Sequence, residues 1–188
     1  MPVRASMLVA FSLLTAGAGA TRSQAANYIF DSKRADVNFT YYVGFIAQSG
    51  RFTKLDGVFQ FDARSPERGS INAVIKTASL SASAWESELK GSSFFNVAVF
   101  PEIRFTSRTV RTTGENSAEF IGDLTMNGVT QTVTLQAVLK SGPHVSAIAH
   151  IKRSTFNMTA LSFLVGDDID IQIEAELLEK QKNDRVSH

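Results

Sequence analysis

The sequence predicts a mainly all-β fold, a single antiparallel β-barrel of about eight strands with a short helical insertion. Three observations predict it. Apolar and polar residues alternate with a period of two from Val37 onward, turn signals recur at short intervals, and one stretch breaks the alternation.

Val37, Phe39, Tyr41 and Val43 alternate with Asn38, Thr40 and Tyr42, and Phe59 and Phe61 stand in phase around Gln60. Ile71, Ala73 and Ile75 alternate with Asn72, Val74 and Lys76, and Ile103 and Phe105 sit between Arg104 and Thr106. The clearest strand places Ile169, Ile171, Ile173, Ala175 and Leu177 on one side and Asp168, Asp170, Gln172, Glu174 and Glu176 on the other. One face must be dry and the other wet, because a one-residue slip would bury the carboxylates. Asn127-Gly128 is a two-residue hairpin signal, since both central positions of a type I′ turn need φ > 0. Further breaks fall at Ser65–Gly69, Thr113–Asn116, Ser141–Pro143 and Gly166-Asp167.

The exception to alternation begins at Ser83-Ala84-Trp85-Glu86, which reads as a capping box with Ser83 as N-cap and Glu86 at the third helical position. Trp85 and Leu89 then share a helical face, and a second short turn is expected through Phe94-Phe95 before Pro101. This insertion of roughly 20 residues exceeds an ordinary hairpin loop. Its apolar face needs a partner, and the mouth of the barrel supplies one.

With 188 residues, 44% hydrophobic and 20% charged, the chain predicts one globular domain. Phe is abundant, with 14 residues against 3 Tyr and 1 Trp, which suits either a large core or an apolar cavity. The absence of cysteine removes disulfides, thiol nucleophiles and the lipid-modified cysteine of lipoproteins. Arg4, the apolar run Met7–Leu14 and the small residues Ala18-Gly19-Ala20 and Ser23-Gln24-Ala25 read as a cleavable export signal. The apolar run falls well short of the ~20 residues that span a bilayer, and cleavage is expected after Ala20, Ala25 or Ala26. The net charge of +1 becomes slightly acidic once Arg4 and Arg22 leave with the leader, so no nucleic acid partner is implied. The expected organisation is a leader over residues 1–26, a barrel domain over 27–178 and a polar tail over 179–188.

Catalytic and metal-binding patterns are missing. His144, His150 and His188 lack the spacing of metal ligands. Asp167, Asp168 and Asp170 lack the glycine and distal glutamate of a calcium loop, and read as a turn plus the wet face of a strand. No nucleophile elbow, phosphate loop or dinucleotide fingerprint occurs. The expectation is a protein that is not an enzyme, with no metal and no cofactor. What remains is the interior. A barrel whose inward side chains are slightly too small for it leaves a dry tunnel open to an apolar molecule, gaining about 0.8 kcal/mol per buried CH₂. A filled barrel and a tunnel differ by only a few side-chain volumes, and both readings stay open at this level.

Several segments together resemble the YceI-like family. They are Tyr28-Ile29-Phe30-Asp31, Gly50-Arg51-Phe52 and Gly57-Val58-Phe59-Gln60-Phe61-Asp62, then Leu89–Val97 continuing into Phe100–Ser107. Gly122–Thr130, Ile151–Phe156 and Val165–Ile169 complete the set, in order over nearly the whole chain beyond the expected leader. The resemblance implies a lipocalin-like barrel with a helical insertion, exported to the bacterial periplasm, that binds polyisoprenoid chains in an apolar tunnel. Two positions depart from the family pattern: Glu88 stands where a His is usual, and Asn157 where Gly is usual. Asn tolerates φ > 0, so the turn at 157 is expected to survive.

Alternation and family position together point inward for Val37, Phe39 and Tyr41, for Phe59, Phe61, Ile71 and Ile75, and for Ile103, Phe105 and Leu124. They do the same for Val133, Leu135, Ile169, Ile171 and Ile173. Trp85, Leu89, Phe94 and Phe95 are expected to close one end, and Arg153 to approach a polar head group, since guanidinium suits a phosphate or quinone oxygen. For each of these residues the alternative role is core packing. The expected function is a periplasmic carrier or buffer of an isoprenoid lipid or quinone, without stable membrane insertion, and a homodimer is compatible with the sequence. The alternatives are a secreted location and a non-enzymatic envelope interaction protein with a filled barrel that acts through its loops.

Overall fold

The computed structural model describes residues 26–61 and 65–180. The expected export signal, with its cleavage positions after Ala20 and Ala25, lies outside the described residues, and Ala26 is the first residue of the first strand.

The strands are β1 (Ala26–Asp31), β2 (Ala35–Val43), β3 (Ile46–Phe52), β4 (Leu55–Phe61), β5 (Ser70–Lys76) and β6 (Leu80–Ala82). After one short helix, α1 (Glu86–Lys90), come β7 (Glu102–Gly114), β8 (Ser117–Met126), β9 (Val129–Leu139), β10 (His144–Lys152), β11 (Asp168–Glu176) and β12 (Leu178–Glu179). All belong to one antiparallel sheet. Eight of the twelve are halves of longer strands. β1 continues into β2, β3 into β4, β5 into β6 and β11 into β12, each across one to three residues. With β7 to β10 these make eight continuous staves.

The staves form a closed ring. β1 and β2 pair on one side with β4 and β3, and on the other with β12 and β11. β5 and β6 pair with β4 and β3, β5 pairs on its other side with β7 across the insertion, and β7 to β11 then follow as successive antiparallel neighbours. The breaks fall side by side, and serine hydroxyls replace the missing ladder bonds. Ser32 Oγ donates to the Leu55 carbonyl at 3.0 Å and accepts from the Leu55 N–H at 2.9 Å. Ser79 Oγ accepts from the N–H groups of Thr53 and Lys54 at 3.2 and 3.0 Å. The break also shifts the phase of the bent strand, so that Phe52 and Leu55, three residues apart, are both buried.

Period-two patterning is plain in β2, where Ala35, Val37, Phe39 and Tyr41 are buried and Asp36, Asn38 and Tyr42 are exposed. At the β8–β9 turn, Asn127 and Gly128 take φ of 49° and 75°, the expected I′ geometry. Gly50 faces Phe39 across β2 and β3, and the Phe39 ring occupies the space that a side chain at 50 would fill. The last strand stays paired as far as Glu179, opposite Tyr28, and the Lys180 N–H donates to the Asn27 carbonyl at 2.6 Å.

The insertion differs from the expected capping box. Helix α1 starts at Glu86, its N-cap is Trp85 in the left-handed conformation (φ 58°), and no side chain caps it. Ser83 is held by the sheet instead: its N–H and hydroxyl both donate to the Ser49 carbonyl, at 2.9 and 3.0 Å. The Glu86 carboxylate reaches back to the Ala82 N–H at 3.3 Å and pairs with Lys90 Nζ at 2.6 Å. In place of a second helical turn, residues 91–99 make consecutive tight turns, tied back by the Phe95 N–H donating to Leu89 and the Val97 N–H to Lys90.

The loop between β10 and β11 starts with a 3-10 turn, Arg153–Phe156, which ends on Asn157 at φ 61°, ψ 17°. Asn157 is among the few residue types that hold this conformation at low cost. Asn157→Ala is expected to destabilise the protein by about 1 kcal/mol in urea unfolding and Asn157→Gly to leave it unchanged or improved. Equal stability of the two variants would mean that the conformation carries no strain here.

Candidate functional site

The inward faces of the staves enclose a cavity of about 160 Å³ with an apolar wall. Most inward residues expected from the sequence line it. They include Val37, Phe39 and Tyr41 on β2, Phe59 on β4, Ile71 and Ile75 on β5, and Ile103 and Phe105 on β7. Leu124 on β8, Val133 and Leu135 on β9, and Ile169, Ile171 and Ile173 on β11 complete this set. Ile71, Ile75, Ile169, Ile171 and Ile173 point inward yet are only half-buried; the surface they keep faces the cavity.

Leu89, Phe94 and Phe95 from the insertion close the upper end, where the β2–β3 and β10–β11 loops also lie. The rings of Phe39, Phe52 and Phe95 pack there with centroids 5.4 to 5.9 Å apart, two of the three contacts edge-on. Tyr41 ties wall to lid: its hydroxyl donates to the Ala84 carbonyl at 2.8 Å, and burial pushes its pKa up. At the lower end Phe120 packs edge-on against Phe59 at 5.7 Å.

Two expected residues do not reach the cavity. Phe61 is on the inward side but one step too low: its ring stacks on Phe59 at 5.8 Å and 11°, beneath the floor. Trp85, the left-handed N-cap of α1, is half-buried and packs against the core without entering the cavity wall. Glu88, the departure from the family pattern, is exposed and away from the cavity wall.

Arg153 lines the cavity and is 3% exposed, but its donors are already committed. Nε donates to the Gly166 carbonyl at 2.9 Å, Nη1 to Met158 and to Ala160 at 2.9 Å, and Nη2 to Val165 at 2.8 Å. Its guanidinium also lies 6.0 Å from the Phe94 ring centroid. Burial pushes its pKa down, partly opposed by Asp167. The group therefore holds the β10–β11 loop in its curve, with one N–H remaining of the five.

The sequence reading missed one side of the wall. Val145, Ala147, Ala149 and Ile151 on β10 all line the cavity, as do Phe30, Phe52, Leu55, Met126, Ala137, Met158 and Val165. Ala73, in phase with Ile71 and Ile75, lines it too, and Ala175 and Leu177, in phase with Ile173, extend the β11 face into it. Small alanines on β10 leave open space that larger residues would fill.

The wall also has a weak side. β9 and β10 pair only from Leu139–Val145 to Gln136–Ile148; above that level no ladder joins them among the described residues. A groove of about 410 Å³ follows this parting on the outside, and Val133, Ala149 and Ile151 line both groove and cavity. Since typical ligand pockets measure ~300–1,000 Å³, the cavity is a narrow bore, and a bulky occupant requires the wall to yield.

On the outer face, His150 Nδ1 lies 2.6 Å from Asp170 Oδ1, Lys152 pairs with Asp168 at 2.8 Å, and Asp167 accepts from the Ser154 N–H and hydroxyl, both at 2.9 Å. The acidic run thus forms a turn and the solvated face of β11. Among the described residues no group of His, Asp and Glu is arranged to hold a metal, and no helix is long and apolar enough to cross a membrane.

The YceI-like domain model matches residues 28–177. A UPF0312 protein of Pseudomonas savastanoi pv. phaseolicola is 38% identical over 135 residues, covering 69% of this chain and 70% of that protein. The crystal structure of Burkholderia cenocepacia BcnA superposes with a TM-score of 0.71 at 24% identity, over 79% of this chain and 98% of that one. A polyisoprenoid binding domain from Saccharophagus degradans superposes with a TM-score of 0.61 at 13% identity, over 84% of this chain and all of that one.

Proposed function

The chain belongs to the YceI-like family, and on that premise we propose that it is a non-enzymatic, periplasmic lipid-binding protein that holds a long isoprenoid, a quinone or polyprenyl compound, in its barrel as carrier or buffer. The observation that carries this reading is the chemistry of the cavity wall. It is apolar from floor to lid, and the polar groups that border it, Tyr41 and Arg153, donate to backbone carbonyls. Such a wall rewards hydrocarbon at about 0.8 kcal/mol per buried CH₂. It presents neither a nucleophile–base pair nor a free oxyanion donor cluster for turnover. The name of the Saccharophagus degradans neighbour, a polyisoprenoid binding domain, points the same way.

Native mass spectrometry of the protein purified from its own periplasm, with organic extraction, tests the reading. A stoichiometric apolar adduct is expected, and its mass distinguishes quinone from polyprenyl phosphate. An adduct-free mass, together with failure to take up added isoprenoids, would sink it and favour the alternative of an envelope interaction protein acting through its loops.

A further inference from the structure

The lid end carries an exposed apolar tip that the tunnel does not use. Phe45, at the β2–β3 turn, is 104% exposed, Phe163, in the β10–β11 loop, 87%, and Ile46 65%. The two loops are joined. The Gly44 N–H donates to the Leu164 carbonyl at 2.7 Å, the Gly166 N–H to Tyr42 at 2.9 Å, and Val43 bridges to Val165. The tip is therefore one braced projection rather than two independent loops. Leu161 within it is held at φ 52° by the N–H groups of Leu164 and Val165, which both donate to its carbonyl; such strain in a non-glycine residue persists only where the surroundings impose it.

The tip is also free of charge. No Asp, Glu, Lys or Arg occurs from Val37 to Gly50 or from Ser154 to Gly166, and the charges that flank these runs sit at the base, with Arg153 buried and Asp167 bonded to Ser154. A protein partner of ordinary polarity would leave such a surface unmatched, whereas hydrocarbon matches it. Area argues in the same direction. At ~150–250 Å² for each aromatic side chain, the tip offers on the order of 500 Å², against ~800 Å² per partner in a standard interface. Its outermost rings project, so two copies meeting tip to tip would not be complementary, while a fluid bilayer takes up a convex wedge. The paired backbone groups lower the cost of leaving water.

We propose that this tip is a membrane-docking surface, which seats Phe45 and Phe163 at the headgroup–acyl boundary of a bilayer, ~5–10 Å deep. Docking there sets the lid end of the barrel against the lipid. It does not depend on what the tunnel holds.

Tryptophan placed by Phe45→Trp, Phe163→Trp and, at the opposite end, Glu115→Trp tests this, with phosphatidylcholine vesicles carrying brominated acyl chains and the signal of Trp85 subtracted using the unsubstituted protein. Quenching and a blue shift are expected at 45 and 163 and not at 115, which separates the tip from any contribution of the chain's N-terminus. The double variant Phe45→Ser, Phe163→Ser is expected to float with the same vesicles at least tenfold less with its unfolding temperature unchanged, and about 0.5 M salt to leave wild-type binding intact. Absence of quenching at 45 and 163, or flotation unaffected by the two serines, would overturn the proposal. So would a wild-type dimer that the serines convert to monomer without any vesicle binding, which would assign the tip to a second copy.

Discussion

Replacing Arg153 by Met is expected to lower the unfolding free energy by about 3–5 kcal/mol, because it strands the carbonyls of Met158, Ala160, Val165 and Gly166 at once. Each buried acceptor left unpaired costs about 1–3 kcal/mol, and partial access to water recovers some of the sum. The aliphatic stem remains in Met, so the loss reports on the guanidinium rather than on packing. Arg153→Lys is expected to recover less than half of the loss, since an ammonium cannot reproduce a planar fork aimed at carbonyls on both sides. Urea unfolding followed by Trp85 fluorescence measures both. Met158 and Val165 line the cavity beside these carbonyls, so faster loss of bound lipid is expected to accompany the loss of stability. A Met variant within 1 kcal/mol of wild type would mean that the loop keeps its curve without the guanidinium.

Ala149→Leu is expected to separate binding from stability. Ala149 is 2% exposed and lines both the cavity and the outer groove at the level where β9 and β10 part. Three added carbons placed in empty space gain apolar burial; placed in a filled core they would cost about 1–3 kcal/mol. The variant is therefore expected to be as stable as wild type or more so when lipid-free, and to retain isoprenoid at least tenfold less. Unfolding curves of delipidated protein and quantified extracts of the purified protein read the two effects. A destabilised variant that still carries lipid would place the ligand elsewhere.

Alternation exposed the inward faces of β2, β7 and β11 because their outward positions are polar. It failed on β10, where outward Ile148 is 39% exposed and inward Ala147 and Ala149 are too small to stand out. It failed again at Phe52 and Leu55, because the strand break between them shifts the phase and no residue pattern announces a break stitched by Ser32 and Ser79. Periodicity also reports a face and not a height, so it groups Phe61 with Phe59 although only Phe59 reaches the cavity. Turn chemistry is more transparent: Asn127, Gly128 and Asn157 take the positive φ that asparagine tolerates and glycine, without a Cβ, adopts freely. The Ser83–Glu86 pattern misled because the Ser49 backbone competes for the Ser83 hydroxyl. Guanidinium chemistry points Arg153 towards a polar head group, but the carbonyls that absorb its donors come from loop backbone, which carries no side-chain signature.

All but one of the N–H and O–H donors of Tyr41 and Arg153 along the bore are occupied by the protein's own carbonyls, and this has a consequence for selectivity. A template recognises its guest by several fixed points; this interior offers at most the last N–H of Arg153. It behaves as a measured volume of solvent with a set calibre, sorting molecules by girth and by partition out of water. Molecules of one thickness but different head chemistry are near equivalents inside it, so discrimination among them falls to whatever supplies the guest and whatever takes it away.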